Sequence, residues 1–208
     1  MASSGLVLYD HPPSSNGFKV RMLLDILELD YETRLVPFDR PRPEWYTAWH
    51  PFGGIPAIED GEFRMGESNA ILRYLAHREL RYDLYPQELH TRGRVDYALD
   101  AWSTRVRPAV LPFEMESRSA APDPARLEGL APAAKQAYDE WETFVADNGT
   151  VVGAFTIADC AVASGLLRTK GFGWEDEFPS RWPKTLRLRD AIESHPSYQR
   201  QAAVPAVP

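Results

Sequence analysis

The sequence predicts a small α/β domain followed by an all-α domain. Three observations carry that expectation. Strand and helix signals alternate over roughly the first 82 residues, Asp60-Gly61 marks a tight hairpin between two short apolar runs, and strand signals stop after RYDLYPQELH. The expected order in the first domain is βαβ, then α, then ββα. The boundaries fall at 1–82 for the α/β part and 88–208 for the helical part. With 208 residues, 44 % hydrophobic and 12 % aromatic, the chain can bury a sizeable core.

The elements follow in order. LVLY (6–9) is an apolar strand that stops at the breaker cluster DHPPSSNG. Val20, Leu23, Leu24 and Leu27 recur at helical spacing, so 16–29 reads as an amphipathic helix. YETRLVPF alternates as a second strand, and PRPEWYTAWH makes a short helix. IPAI and EFRM flank the Asp60-Gly61 turn, a hairpin signal. Ile71, Tyr74 and Leu75 mark a helix running to about Leu80. Val95, Leu99, Trp102 and Val106 then share one helix face, which Pro108 should kink or end. Residues 118–132 read as a loop, and Tyr138, Trp141, Phe144 and Val145 as the next helix. Thr156 and Asp159 in FTIADCAVA form a capping box, with Phe155 and Cys160 at the staple positions. A last helical stretch covers about 183–203.

Composition narrows the function. A formal charge of −7 supplies no basic face for phosphates, so nucleic acid is not an expected partner. No apolar run has the length of a membrane span, and MASSGLVLYD lacks the charged start and long apolar core of a secretory leader. One cysteine, Cys160, excludes an intramolecular disulfide and reads as an inert packed thiol. The five histidines show no metal-ligand spacing, so no metal site is expected. A cytoplasmic protein fits these features.

Three places could carry chemistry. Ser14, Ser15 and Asn16 crowd the start of the first helix, where unpaired amides and the helix dipole favour an anion. Cys-x-x-Cys is missing there, so hydroxyls or an amide would hold a thiolate brought by a ligand, or one of them simply caps the helix. Glu67 and Ser68 open the third helix and suit an amino-acid head group, the plainer alternative being a solvated Glu and a capping Ser. Pro56 stands inside an apolar run where it cannot donate to a ladder. A cis Ile55-Pro56 bond would turn the Ile55 backbone outward to pair an extended peptide ligand; a trans edge proline is the alternative.

In their order and spacing these features resemble the glutathione transferase family. HPFGGIPAIEDGEFRMGESNAILRYLA (50–76) is similar to that family's Asn-Pro-x-Gly-x-x-Pro-x-hydrophobic-x-Asp-Gly run closed by Glu-Ser-x-Ala-Ile. GAFTIADC (153–160) resembles its cap and staple signature, and LYP (84–86) its interdomain linker. The resemblance implies a thioredoxin-like domain and a helical domain with glutathione bound between them as co-substrate. Ile55 would pair the cysteinyl backbone beside a cis Pro56, and Glu67 and Ser68 would hold the γ-glutamyl head group. The thiol-activating residue falls on Ser14 by likeness to serine-type classes (phi, theta, zeta), or on Asn16 by likeness to the nu-class Thr-x-Asn-Gly-x-Lys. Ser15 and Tyr9 remain further candidates.

Three departures stand out. Gly54 replaces a Lys or Gln that reaches the glycine end of glutathione, His50 replaces Asn and could itself reach that carboxylate or serve as a structural hydrogen-bonding residue, and Gly66 replaces a larger residue. The resemblance places a small electrophile against His11, Pro13, Trp102, Arg105 and Val106, with Arg105 able to draw an acidic substrate. It also implies a homodimer and a conjugating, detoxifying transferase. Glutathione-dependent isomerisation, peroxide or disulfide reduction, and a non-enzymatic scaffold of the same fold are the alternatives.

Overall fold

The computed structural model describes residues 5–203. The chain divides into two compact units: one takes in the residues up to Tyr85 together with those from Pro196 onward, and the other runs from Pro86 to His195.

In the first unit β1 (Leu6–Asp10) leads to α1 (Ser15–Ile26), β2 (Glu32–Leu35), α2 (Glu44–Thr47), β3 (Ala57–Asp60), β4 (Phe63–Met65) and α3 (Ser68–Arg78). The strands form one mixed sheet in the order β2-β1-β3-β4, with β1 parallel to β2 and antiparallel to β3. β1 is an inner strand covered on both faces, which is why LVLY is uninterruptedly apolar while the edge strand β2 is exposed throughout. Val7 and Tyr9 face Val36, Tyr46 and Ala57, whereas Asp10, of opposite parity, meets Arg21 of α1. Pro56 lies just ahead of β3, where no ladder amide is required, and the Ile55–Pro56 bond is cis. Pairing of Asp60 with Phe63 leaves Gly61 and Glu62 as the turn, with Gly61 at φ +62°.

The second unit is helical: α4 (Leu89–Ala101), a π-helical turn (Trp102–Val106), α5 (Arg107–Ser117), α6 (Pro124–Phe144), α7 (Ile157–Leu167), a 3-10 turn (Arg168–Gly171), α8 (Phe178–Arg181) and α9 (Pro183–Glu193). Its buried centre holds Tyr138, Trp141, Phe178 and Trp182. The capping box forms as expected: Asp159 accepts from the Thr156 amide at 2.8 Å and the Val151 amide at 2.9 Å. Burial pushes the Asp159 carboxyl up to about 6, against the pull of these donors, and raises the Cys160 thiol.

Two expectations change, and a third narrows. Pro108, expected to kink or end its helix, does not end it. It supplies no amide and crowds the carbonyl four residues earlier, and the wider π turn ahead of it, closed by the Arg107 amide on Trp102 O, accommodates this. Residues 124–132 are helix rather than loop, because Asp123 caps the Ala125 amide at 2.9 Å and Pro124 sits in the first turn, where its missing N–H costs nothing. The stretch 183–203 breaks before Pro196, and α10 (Pro196–Ala202) belongs to the first unit rather than to the helical domain expected over 88–208. There Arg200 binds Asp25 of α1 at 2.6 Å and Tyr198 packs 5.3 Å from the Phe18 ring.

Candidate active site

The turn from β1 into α1 is set by charge. Asp10, buried at the end of β1, forms an ion pair with Arg21, whose Nη2 also donates to Pro12 O at 3.0 Å. Within the loop so held, the Ser14 amide donates to His11 O at 2.8 Å. Ser14 is the N-cap of α1, and its Oγ accepts from the Gly17 amide at 3.2 Å. Accepting that bond uses an oxygen lone pair and leaves the hydroxyl hydrogen free to be donated elsewhere, so capping and thiol activation are compatible roles. Ser15 is the first helical residue, and Asn16 is exposed beside it. Arg21 offsets the Asp10 charge, so the helix N-terminus keeps its preference for an anion.

Tyr9 is otherwise engaged. Its hydroxyl donates to Glu59 Oε2 and accepts from Arg34 Nη1, each at 3.0 Å, and its ring packs among Trp45, Tyr46 and Trp49. Burial and the Glu59 carboxylate raise its phenol above the ordinary value. With its hydrogen committed to a carboxylate, Tyr9 is poorly placed to activate a thiol.

Glu67 caps α3 in a left-handed conformation, φ +64°, that non-glycine residues rarely adopt, and its exposed carboxylate makes no capping bond. Ser68 begins α3 and is half-buried. His50 is buried, with Nε2 3.1 Å from Gly54 O, a carbonyl that also accepts from Tyr46 OH. His11 is half-buried and stacked on Phe38 at 5.1 Å, and Pro13 is exposed. In the second unit Trp102 and Val106, one turn apart, point into the core, where Trp102 meets Trp141 at 5.0 Å; Arg105, between them, is exposed. Among the described residues no group of three or more His, Cys, Asp or Glu is arranged to hold a metal ion, and no helix is long and apolar enough to cross a membrane.

The family model for the glutathione S-transferase N-terminal domain matches residues 4–77. Over 98 % of this chain and 96 % of the relative, the sequence is 30 % identical to glutathione S-transferase 3 of Zea mays. The chain belongs to the glutathione transferase family. Glutathione S-transferase F11 of Arabidopsis thaliana is 32 % identical over 82 % of this chain and 88 % of its own length. A solved structure of glutathione S-transferase III in apo form superimposes with a TM-score of 0.81 at 29 % identity, covering 98 % of each chain.

Several residues that shape this candidate site are not foreseen from the sequence. Asp10 and Arg21 hold the loop before Ser14, and a charged residue closing an apolar strand is the signal that announces a buried partner. Lys19, buried on α1, donates to Asn69 Oδ1 at 2.7 Å and so ties the helix of Ser14 to the second residue of α3. Arg42 donates to Gly53 O at 3.1 Å and Pro37 O at 2.6 Å, joining the loops on either side of α2. Nothing in local sequence pattern identifies these last two.

Proposed function

We propose that this transferase uses Ser14 to hold glutathione as its thiolate, which then attacks a small electrophile. The observation carrying this reading is the Ser14 hydroxyl, which receives the Gly17 amide at the start of α1 and retains its own hydrogen for a thiolate. A free cysteine thiol titrates near 8.5, and depressing it by two units takes about 2.7 kcal/mol of preference for the anion. One hydrogen bond to a charged group, about 1.5–3 kcal/mol, and a helix N-terminus, about 0.3–1 kcal/mol, together reach that figure. Ile55, held beside the cis Pro56, would pair the cysteinyl backbone, and Glu67 and Ser68 would take the γ-glutamyl head group. The backbone conformation of Glu67 supports the latter role, since such strain gathers where a side chain is aimed at a ligand. His11 and Pro13, beside Ser14, and Arg105 would meet the electrophile. No metal takes part in this scheme.

A homodimer in the cytoplasm belongs to the same reading. The dimer is supported by large apolar side chains left exposed in each unit, Phe52 (78 %) and Phe63 in the first and Leu89, Tyr97 and Met115 in the second.

The test is a pH titration of bound glutathione, following thiolate absorbance in wild type, Ser14→Ala and Asn16→Ala. A depressed pKa lost only in Ser14→Ala is the expected result, together with turnover of an aryl halide. Loss only in Asn16→Ala points to peroxide or disulfide chemistry, and binding without depression, or no binding, to a scaffold.

A further inference from the structure

We propose that His50 is a positioning residue of the glutathione site, a wedge whose ring fixes the loop carrying Ile55 and Pro56 against the segment leading into Glu67 and Ser68. It rests on the reading above, in which those two segments hold two parts of one glutathione molecule. His50 is only 6 % exposed. Its Nε2 lies 3.1 Å from Gly54 O, and since a carbonyl only accepts, that nitrogen carries the hydrogen. Its ring is edge-on to Tyr46 at 5.3 Å and stacked on Trp49 at 5.6 Å, so it has little freedom to swing.

On its other side the ring fills the place of a missing side chain. A Cβ on Gly66 would stand 2.8 Å from Nε2 and closer still to Cε1. Gly66 is not in the left-handed region, so its backbone would accept any residue, and the imidazole is what excludes one. A Cβ on Gly54 would meet the same ring at 3.5 Å, an ordinary contact. One side chain therefore touches both the residue before Ile55 and the residue before Glu67. Two departures that look independent in the sequence, His50 and Gly66, are one exchange of volume.

The wedge acts on binding rather than on the thiol. The experiment measures the KM for glutathione with an aryl halide and the pKa of the bound thiol, using the full chain. His50→Ala should raise the KM about tenfold and leave the thiol pKa unchanged, because displacement of binding groups by an ångström can cost up to about 10²-fold. His50→Ala/Gly66→Leu, which refills the space from the opposite side, should return the KM to within about threefold of wild type. His50→Phe keeps the ring volume while Tyr46 still serves Gly54 O, and should also stay within about threefold; it carries the test should His50→Ala not fold. A tenfold rise in His50→Phe would instead mean that the imidazole acts through a hydrogen bond, to Gly54 O or to glutathione, rather than by its volume, and would overturn the wedge. So would an unchanged KM in His50→Ala, or a double variant no better than the single one. Wild-type protein that does not bind glutathione overturns the proposed function itself, an outcome distinct from all of these.

Discussion

The carboxylate of Asp10 occupies the space where a side chain at residue 17 would stand: a Cβ on Gly17 would lie 2.7 Å from Asp10 Cγ and nearer still to Oδ1. The turn that carries Ser14 is thus packed against a buried ion pair, with Arg21 bridging Asp10 and the Pro12 carbonyl. Glycine at 17 is required by this crowding and not by backbone conformation, since its φ is not positive. Helix propensity alone would favour Gly17→Ala by about 1 kcal/mol. The overpacking should win, giving a loss of about 2 kcal/mol in urea unfolding and a weakened depression of the bound thiol's pKa. A stabilised variant with normal titration would show that the loop yields freely.

Tyr9→Phe separates structure from catalysis. It removes a hydroxyl shared by Glu59 and Arg34, so stability should fall by about 1 kcal/mol. The pH profile of kcat/KM should keep its wild-type midpoint. A midpoint moved upward would reinstate Tyr9 as the thiol-activating group.

Arg105 is exposed and has no hydrogen-bond or ion-pair partner among the described residues. Arg105→Ala should lower kcat/KM about threefold for a carboxylate-bearing aryl halide, the modest effect expected of an exposed charge, and leave a neutral one unchanged. Equal effects on both substrates would remove its role in choosing the electrophile.

Asp159 anchors the start of α7 through the amides of Val151 and Thr156 and the Thr156 hydroxyl. Asp159→Ala removes the cap and strands buried donors, so unfolding free energy should drop by about 3 kcal/mol. Chemical denaturation of the full chain measures it, and a loss below about 1 kcal/mol would show that water replaces the carboxylate.

Glu114 is buried on α5 between Arg107 and Arg168, each at 2.6 Å. Burial pushes its carboxyl up, but the two guanidinium groups outweigh burial and hold it below the ordinary range. The folded protein then binds this proton less readily than the unfolded chain. Its stabilisation is complete above the ordinary carboxylate pKa, about 4.3, and is lost as pH falls through the folded value. Glu114→Gln should lose about 2 kcal/mol at pH 7, discounted from the fully buried case because both arginines are partly exposed. It should also lose less on acidification than wild type. Parallel stability profiles from pH 7 to 3 would refute the coupling.

The order of elements in the first unit was legible because each announces itself within a few residues: an apolar run, a helical period, an Asp-Gly turn, Glu-Ser at a helix start. The capping box at Thr156 and Asp159 was legible for the same reason. The loop expected over 118–132 did not hold from 124 on, because Pro124 stands in the first turn of α6, where a proline costs little; Pro108, expected to kink or end its helix, instead follows a π turn that carries the helix on.

Periodicity and capping chemistry act over one or two turns of chain, so the sequence carries them in plain form, along with the segments that mark the family. What fills a given space is fixed by residues that meet through folding. The Tyr9 hydroxyl is claimed by Glu59, fifty positions away, and α10 joins α1 through Arg200 and Asp25, separated by 175. Whether Trp102 lines a cavity or fills a core, and why residues 17 and 66 must be glycine, depend on such meetings. Close packing makes them decisive, because two groups cannot share one volume however well each suits its own stretch of chain.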